Sequence, residues 1–344
     1  MDAISDGCGL YLTTLGRSNS EYASKRKTWP NRATVAVPAF GLDTIELNNF
    51  NWFNNGWIKT VSDGVALRIT NGASVRIPLT TMTSTTPEPR AYEFDFCVRN
   101  PINFSKLVDS KMEVQADGSE KLVKSVSDGE GAFLKYYDSD AKKGLMLGTQ
   151  DAFFAINATD IVNVKYAAEE RIKVSIVVDA KGQFTPTWAD ATGNLTGASV
   201  PMVYVYLNGV LSGIQNFSET TDFLAQGATA IEINSDYCDV DIFNIRVYNV
   251  PLNYSSITQN WVGDASTLAM RQERYARNQA LVKDNKLDYE LVKNSGLIPT
   301  MVIKTYKDTK VLEADDKLPY QKGNKKVVGI RYYDPDYPEK SFHC

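Results

Sequence analysis

Tyr92-Glu93-Phe94-Asp95-Phe96-Cys97-Val98-Arg99 and Arg171-Ile172-Lys173-Val174-Ser175-Ile176-Val177-Val178 both alternate with a period of two. Tyr92, Phe94, Phe96 and Val98 share one face of the first, and Ile172, Val174, Ile176 and Val178 share one face of the second. Successive side chains of a strand point to opposite faces, so this pattern reads as half-buried antiparallel strands. Residues 65–69, 75–77, 203–207, 231–233 and 241–248 repeat it, and at least ten such runs lie between residues 46 and 250. Asn71-Gly72 separates 65–69 from 75–77, and Asn208-Gly209 separates 203–207 from Val210-Leu211, so two tight hairpins are expected. Many short strands with no helix between them mean a sandwich or barrel rather than a parallel α/β sheet, and about 200 residues in one unit fits a jelly roll of two large sheets.

Composition narrows the function classes. The 344 residues are 43% hydrophobic and 23% charged, ordinary for a globular chain, with a net charge of −4. An acidic balance argues against a nucleic-acid binder that relies on a basic surface. The local basic cluster of Arg17, Lys25, Arg26, Lys27 and Arg32 reads as a solvated loop, with a nucleic-acid or anionic-surface contact as the weaker alternative. No run approaches the ~18 apolar residues of a membrane helix, and the opening residues 1–7 lack the basic and apolar regions of a signal peptide. The only histidine, His343, leaves no room for a multi-His metal site. Cys8, Cys97, Cys238 and Cys344 show no CxxC spacing; their even number permits two disulfides, but free thiols are expected, and Cys97 and Cys238 lack the basic neighbours of a nucleophile.

The pattern changes after Tyr248. Residues 255–281 are rich in helix formers, with Asp264 as an expected N-cap and Leu268, Tyr275 and Val282 as a narrow apolar stripe. Such a helix is expected to dock on the sandwich edge, with a coiled-coil partner site as the alternative. A second helical piece is expected over 287–293, and strands over 301–303 and 326–333. The resulting division is an N-terminal extension at 1–47, the sandwich at 48–262, a helical linker at 263–298, and a short β segment at 299–344. The last is too short for its own core and reads as the opening of a further domain of a longer protein.

Three stretches carry a family resemblance. They are Glu169-Glu170-Arg171-Ile172-Lys173-Val174-Ser175-Ile176-Val177-Val178-Asp179, then Val203-Tyr204-Val205-Tyr206-Leu207-Asn208-Gly209-Val210, then Asp239-Val240-Asp241-Ile242-Phe243-Asn244-Ile245-Arg246-Val247-Tyr248-Asn249 with Leu252. Together they resemble the second half of a laminin-G-like, concanavalin A-like jelly roll, over roughly residues 48–261. The resemblance implies an all-β antiparallel sandwich and leaves function open, because this fold hosts lectins, adhesins, glycosidases and virion proteins. Leu10-Tyr11-Leu12 with Gly16-Arg17-Ser18-Asn19, Asn51-Trp52-Phe53-Asn54-Asn55-Gly56-Trp57, Asn260-Trp261 and Leu318-Pro319-Tyr320-Gln321-Lys322-Gly323 are similar to modules in large tail or baseplate-associated proteins of gut bacteriophages. That resemblance implies a virion setting and no particular activity.

Candidate chemistry follows. Concanavalin A-like endoglucanases carry alternate carboxylates on one strand as nucleophile and acid. Glu93 and Asp95 begin such a motif, but Cys97 and Val98 stand where the next carboxylate belongs, so a solvent-facing charged strand face is expected and no catalytic residue is assigned. Asp236, Asp239 and Asp241 cluster near a strand start, with Asp138 and Asp140 in a second turn, and could contribute oxygens to Ca2+; ordinary turn chemistry explains them too. No other cofactor is implied. Trp52 and Trp57 beside Asn54 and Asn55 have the composition of a carbohydrate-binding platform, where aromatic faces stack on sugars and amides pair with hydroxyls. Packing of both tryptophans into the core is the competing reading. The sequence thus points to a non-enzymatic binding or structural module, a virion component contacting a surface glycan or a neighbouring protein subunit, with no nucleic acid and no membrane insertion. The alternatives are a free-standing bacterial lectin-like protein, extracellular or at the cell surface, and a glycoside hydrolase.

Overall fold

The computed structural model of the protein describes residues 6–33, 43–60, 64–70, 72–79, 90–102, 107–126, 131–137, 144–155, 161–184, 188–189, 195–196, 201–216, 229–264, 331–332 and 342–343. The elements run β1 (Cys8–Thr13), α1 (Ala23–Arg26), β2 (Thr28–Pro30), β3 (Thr44–Glu46), β4 (Gly56–Thr60), β5 (Gly64–Ile69), β6 (Val75–Pro78) and β7 (Ala91–Arg99). Next come β8 (Val108–Val114), β9 (Glu120–Val126), β10 (Ala132–Tyr137), β11 (Gly144–Gly148), β12 (Asp151–Ala155), β13 (Ile161–Lys165) and β14 (Arg171–Asp179). The series closes with β15 (Trp188–Ala189), β16 (Leu195–Thr196), β17 (Met202–Leu207), β18 (Val210–Asn216), β19 (Ala230–Ile233), β20 (Asp239–Tyr248), α2 (Tyr254–Asp264), β21 (Arg331–Tyr332) and β22 (Phe342–His343).

The fold is an all-β antiparallel sandwich with a C-terminal helix. One sheet has eight strands in the order β18-β17-β14-β7-β20-β5-β4, with β1 also on β20; the other has six, in the order β13-β12-β11-β10-β19-β6. The alternation that decided the fold places Tyr92, Phe94, Phe96, Val174, Ile176 and Val178 in the layer between the sheets. There Phe96 meets Phe133 edge-on at 5.2 Å between ring centres, and Tyr166 at 5.5 Å. The Asn208-Gly209 hairpin forms as expected, with φ of +47° and +77°, the positive values a two-residue turn between twisted strands requires.

The hairpin expected at Asn71-Gly72 does not form. β5 pairs with β4 and β20 in the large sheet, and β6 pairs with β19 in the small one. Gly72 turns at φ +74°, but the turn carries the chain across the sandwich instead of back along it. Residues 1–47 are also not an appendage throughout. β1 pairs along β20 from Cys8↔Tyr248 to Thr13↔Asn244, and Leu10 and Leu12 are fully buried in the core.

β20 organises the large sheet. β7 follows one of its edges, while the other edge is shared by β5, at residues 240–242, and β1, at residues 244–248. A bulge between Ile242 and Asn244 inserts one extra residue. The bulge resets the alternation, so Asp241, Phe243, Arg246 and Tyr248 all lie on the sheet's outer face while Ile242, Ile245 and Val247 stay in the core.

α2 lies across that outer face. Its start differs from the sequence reading: Asn253 Oδ1 accepts the Ser256 N–H at 2.9 Å, so Asn253 is the cap, and Asp264 is the last residue. Ile257 packs with Tyr204, Tyr206, Tyr248 and Leu252. α1 is a single helical turn not expected before residue 255. The stripe of Leu268, Tyr275 and Val282, the helical linker beyond residue 264, and the strands expected at 301–303 lie outside the described residues, as do Asp138 and Asp140. Of the strand expected at 326–333, only Arg331–Tyr332 is described. Among the described residues no helix is long and apolar enough to cross a membrane.

Candidate functional site

The loop between β3 and β4 carries the sequence candidates Trp52, Asn54 and Asn55, Trp57 follows on β4, and the structure divides them. Trp57 is buried, edge-on to Trp29 at 5.7 Å, with its indole N–H donating to Arg26 O at 2.9 Å. Asn55 is buried too. Its Oδ1 accepts the N–H groups of Asn51 (2.8 Å) and Trp52 (3.2 Å), and its Nδ2 donates to Thr70 O at 3.3 Å. These two residues build the loop and cannot touch a ligand. Trp52 is half-buried against Phe50, with rings 5.3 Å apart, while Asn54 is exposed and Phe53 is 84% exposed.

A segment from the N-terminal region clasps this loop. Asn19 donates from Nδ2 to Asn55 O at 3.0 Å and accepts the Trp57 N–H at 2.7 Å. The guanidinium of Arg17 sits 4.4 Å over the Trp57 ring and pairs with Glu21; that of Arg26 lies 5.7 Å from the Trp52 ring centre. Two of the basic residues read as a solvated loop are therefore structural. Gly56 makes the closure feasible: at φ +88°, a Cβ there would stand 2.6 Å from Trp52 Cε3. Asn49 and Trp52 hold φ of +64° and +61°, unusual for residues with a Cβ. The loop thus projects Phe53 and Asn54 from a hydrogen-bonded, strained base, with exposed Tyr22, Lys25 and Lys27 on the clasp.

Glu93 and Asp95 do not form the solvent-facing strand face expected of them. Both are buried, because α2 covers the outer face of β7. Asp95 takes a bidentate pair from Arg171, whose Nε is 2.7 Å from Oδ1, and a hydrogen bond from Asn244 at 3.2 Å. Glu93 contacts Lys173 at 3.1 Å and Arg246 at 3.4 Å and accepts from Asn260 at 2.8 Å. Asp264, at the end of α2, completes the cluster with two 2.6 Å bonds from Arg246 and one of 2.9 Å from Lys173. Three cations thus meet three carboxylates, and the buried cluster is neutral only with Asp264 in place. Burial alone would raise the Asp264 carboxyl; the charges of Lys173 and Arg246 outweigh it and hold the group well below the usual carboxylate range. The sequence carried no signal for this cluster beyond alternate charges on strands, because the residue that closes it lies 169–171 positions from its first members.

Of the Ca2+ candidates, Asp239 and Asp241 share the outer face of β20, and Asp236 is exposed on the preceding loop. Asp241 has Oδ1 on Arg68 Nε at 2.7 Å and Oδ2 on Arg99 Nε at 2.6 Å. Asp239 accepts from Thr70 and from Asn100. A cation would have to displace these partners. Among the described residues no group of three or more His, Cys, Asp or Glu could hold a metal ion. Cys8, Cys97 and Cys238 are buried thiols outside any disulfide, and burial pushes the Cys8 thiol up to about 11 and that of Cys238 to about 12.

No family model and no curated protein sequence matches the chain. Solved structures with a similar arrangement include the botulinum neurotoxin serotype D binding domain, at 11% identity and TM-score 0.43, covering 76% of this chain and 52% of that one. Two others are the binding domain of botulinum neurotoxin DC in complex with rat synaptotagmin II, at 10% identity and TM-score 0.44, and in complex with SialylT, at 12% and 0.43; each covers 77% of this chain and 53% of that one. The chain thus spans about half the length of the solved structures it resembles.

Proposed function

We propose that the chain is a non-enzymatic binding module whose contact surface is the loop at residues 51–54 with its clasp, and whose target is a surface glycan. The observation that carries this reading is the strained backbone at Trp52, held by Asn55 and Asn19 while Phe53 stands out in solvent. Strain persists where the surroundings over-determine it, and binding residues concentrate on loops fixed by a rigid scaffold. An exposed phenyl ring beside an exposed amide suits a sugar, whose CH face stacks on the ring and whose hydroxyls pair with the amide. The burial of Glu93 and Asp95 in ion pairs supports the non-enzymatic part, since neither faces a cleft.

The setting we propose, a tail or baseplate component of a virion, rests on the resemblance of the loop and clasp sequences to phage modules. Flanking capsid, portal and tail genes support it, and flanking polysaccharide-utilisation genes favour the bacterial lectin. Binding itself is tested on a microarray of bacterial surface glycans. Wild type is expected to retain at least one glycan, and Phe53→Ala to lose that signal by about tenfold or more with its melting temperature unchanged. Equal binding by Phe53→Ala, or no glycan retained by wild type, overturns the reading.

A further inference from the structure

β8 and β9 form a seven-rung hairpin from Val108↔Val126 to Val114↔Glu120 that pairs, among the described residues, with no other strand. A lone two-stranded hairpin is marginal in water. This one also exposes apolar side chains: Met112 is 57% exposed, Val114 72% and Leu122 52%, with Met112 directly opposite Leu122. β9 is the strand that lies against β13 of the sandwich, which leaves β8 as the outer edge.

The hydrogen-bond phase of that edge follows from the turn. The Gln115 N–H donates to Ser119 O at 2.7 Å and Gln115 O accepts the Gly118 N–H at 2.9 Å, so the peptide groups of Gln115 face β9 and the turn. Antiparallel ladders alternate bonded and non-bonded pairs. Glu113 and Lys111 therefore bond to β9, and the peptide groups of Ser110, Met112 and Val114 point away from it. Lys111 and Glu113 lie on the face opposite Met112, 2.6 Å apart between Nζ and Oε1, with both side chains exposed.

We infer that β8 is a self-association edge whose partner is β8 of a second copy of this chain, antiparallel and related by a two-fold axis at Met112. In that register the outward peptides of Ser110, Met112 and Val114 meet those of Val114, Met112 and Ser110 in the second copy, so each finds a partner. Lys111 falls opposite Glu113 of the second copy, and Glu113 opposite its Lys111, both at non-bonded positions where cross-strand side chains approach most closely. Met112 packs against its own symmetry mate, and Leu122, Met112 and their mates form one apolar row across a four-stranded sheet. The interface is isologous and closed, so pairing stops at the dimer. An edge centred on Ser110 would instead set Lys111 opposite Asp109 and leave Glu113 out of the charge pairing.

Sedimentation velocity of the full chain from about 1 μM to about 1 mM tests this. Wild type is expected to shift from monomer to dimer across that range. Lys111→Glu sets a second carboxylate opposite Glu113, and Glu113→Lys sets a second ammonium opposite Lys111, so each variant alone is expected to stay monomeric with an unchanged circular dichroism spectrum. An equimolar mixture of the two restores opposite charges at both positions and is expected to return the dimer. A wild type that stays monomeric throughout overturns the inference. So does a Glu113→Lys variant that dimerises like wild type, or a mixture that fails to associate.

Discussion

Asp264 shows how much one carboxylate can carry. It neutralises Arg246 and Lys173 inside the protein, and without it the cluster holds an unmatched positive charge. Removing one partner of a buried ion pair costs about 3–5 kcal/mol, since the charge left behind keeps its desolvation penalty. Asp264→Asn is expected to lose about that much at pH 7, measured by urea unfolding. The sign of the pH dependence follows from the depressed folded-state value. Asp264 stabilises the fold fully above the unfolded carboxylate value of about 3.9, and this contribution is lost as the pH falls from there toward the lower folded value. The gap between wild type and Asp264→Asn should therefore narrow as the pH drops below about 4. A gap that is constant from pH 7 to pH 3 would show that the carboxylate's charge is not what the cluster uses.

The elements were legible in the sequence where one physical rule governed them. β7 and β14 alternate because one face is hydrocarbon core, and Asn208-Gly209 is a hairpin because both positions need positive φ. Asn71-Gly72 carries the same signal, yet the strands it separates belong to different sheets; a local turn does not encode which way the chain continues. Alternation puts Glu93 and Asp95 opposite the core face, but it says nothing about what covers a face, and α2 covers it. Trp57 and Asn55 look like ligand groups by composition and are loop supports by burial, which only the clasp from residues 17–26 reveals. The seat of α2 offers its own test. A Cβ on Gly209 would stand 3.2 Å from Trp261 Cε3, at a backbone φ of +77°. Gly209→Ala should cost about 1–2 kcal/mol from the left-handed backbone alone, with further loss as Trp261 shifts. A loss no larger than that backbone share would mean that the turn and α2 do not meet.

For the molecule as a whole, the two sheets enclose one core to which β1 belongs. Leu12 on β1 is fully buried with Ile245 and Val247 of β20 in the same cluster. Leu12→Ala is accordingly expected to cost about 2–5 kcal/mol in chemical denaturation; a side chain on an extension outside the sandwich would cost less than about 0.5 kcal/mol. β1 is hydrogen-bonded along β20, and the end of α2 is held by Arg246, also on β20. Tension between the chain before β1 and the chain after Asp264 would therefore be handed to the same strand at both points. On one side it meets a ladder of backbone bonds, on the other an ion pair and the seat of Trp261. Mechanically the sandwich is then a link with both eyes forged on one bar: a pull transmitted through the chain is borne by β20 and its attachments, while the hydrocarbon between the sheets carries little of the load.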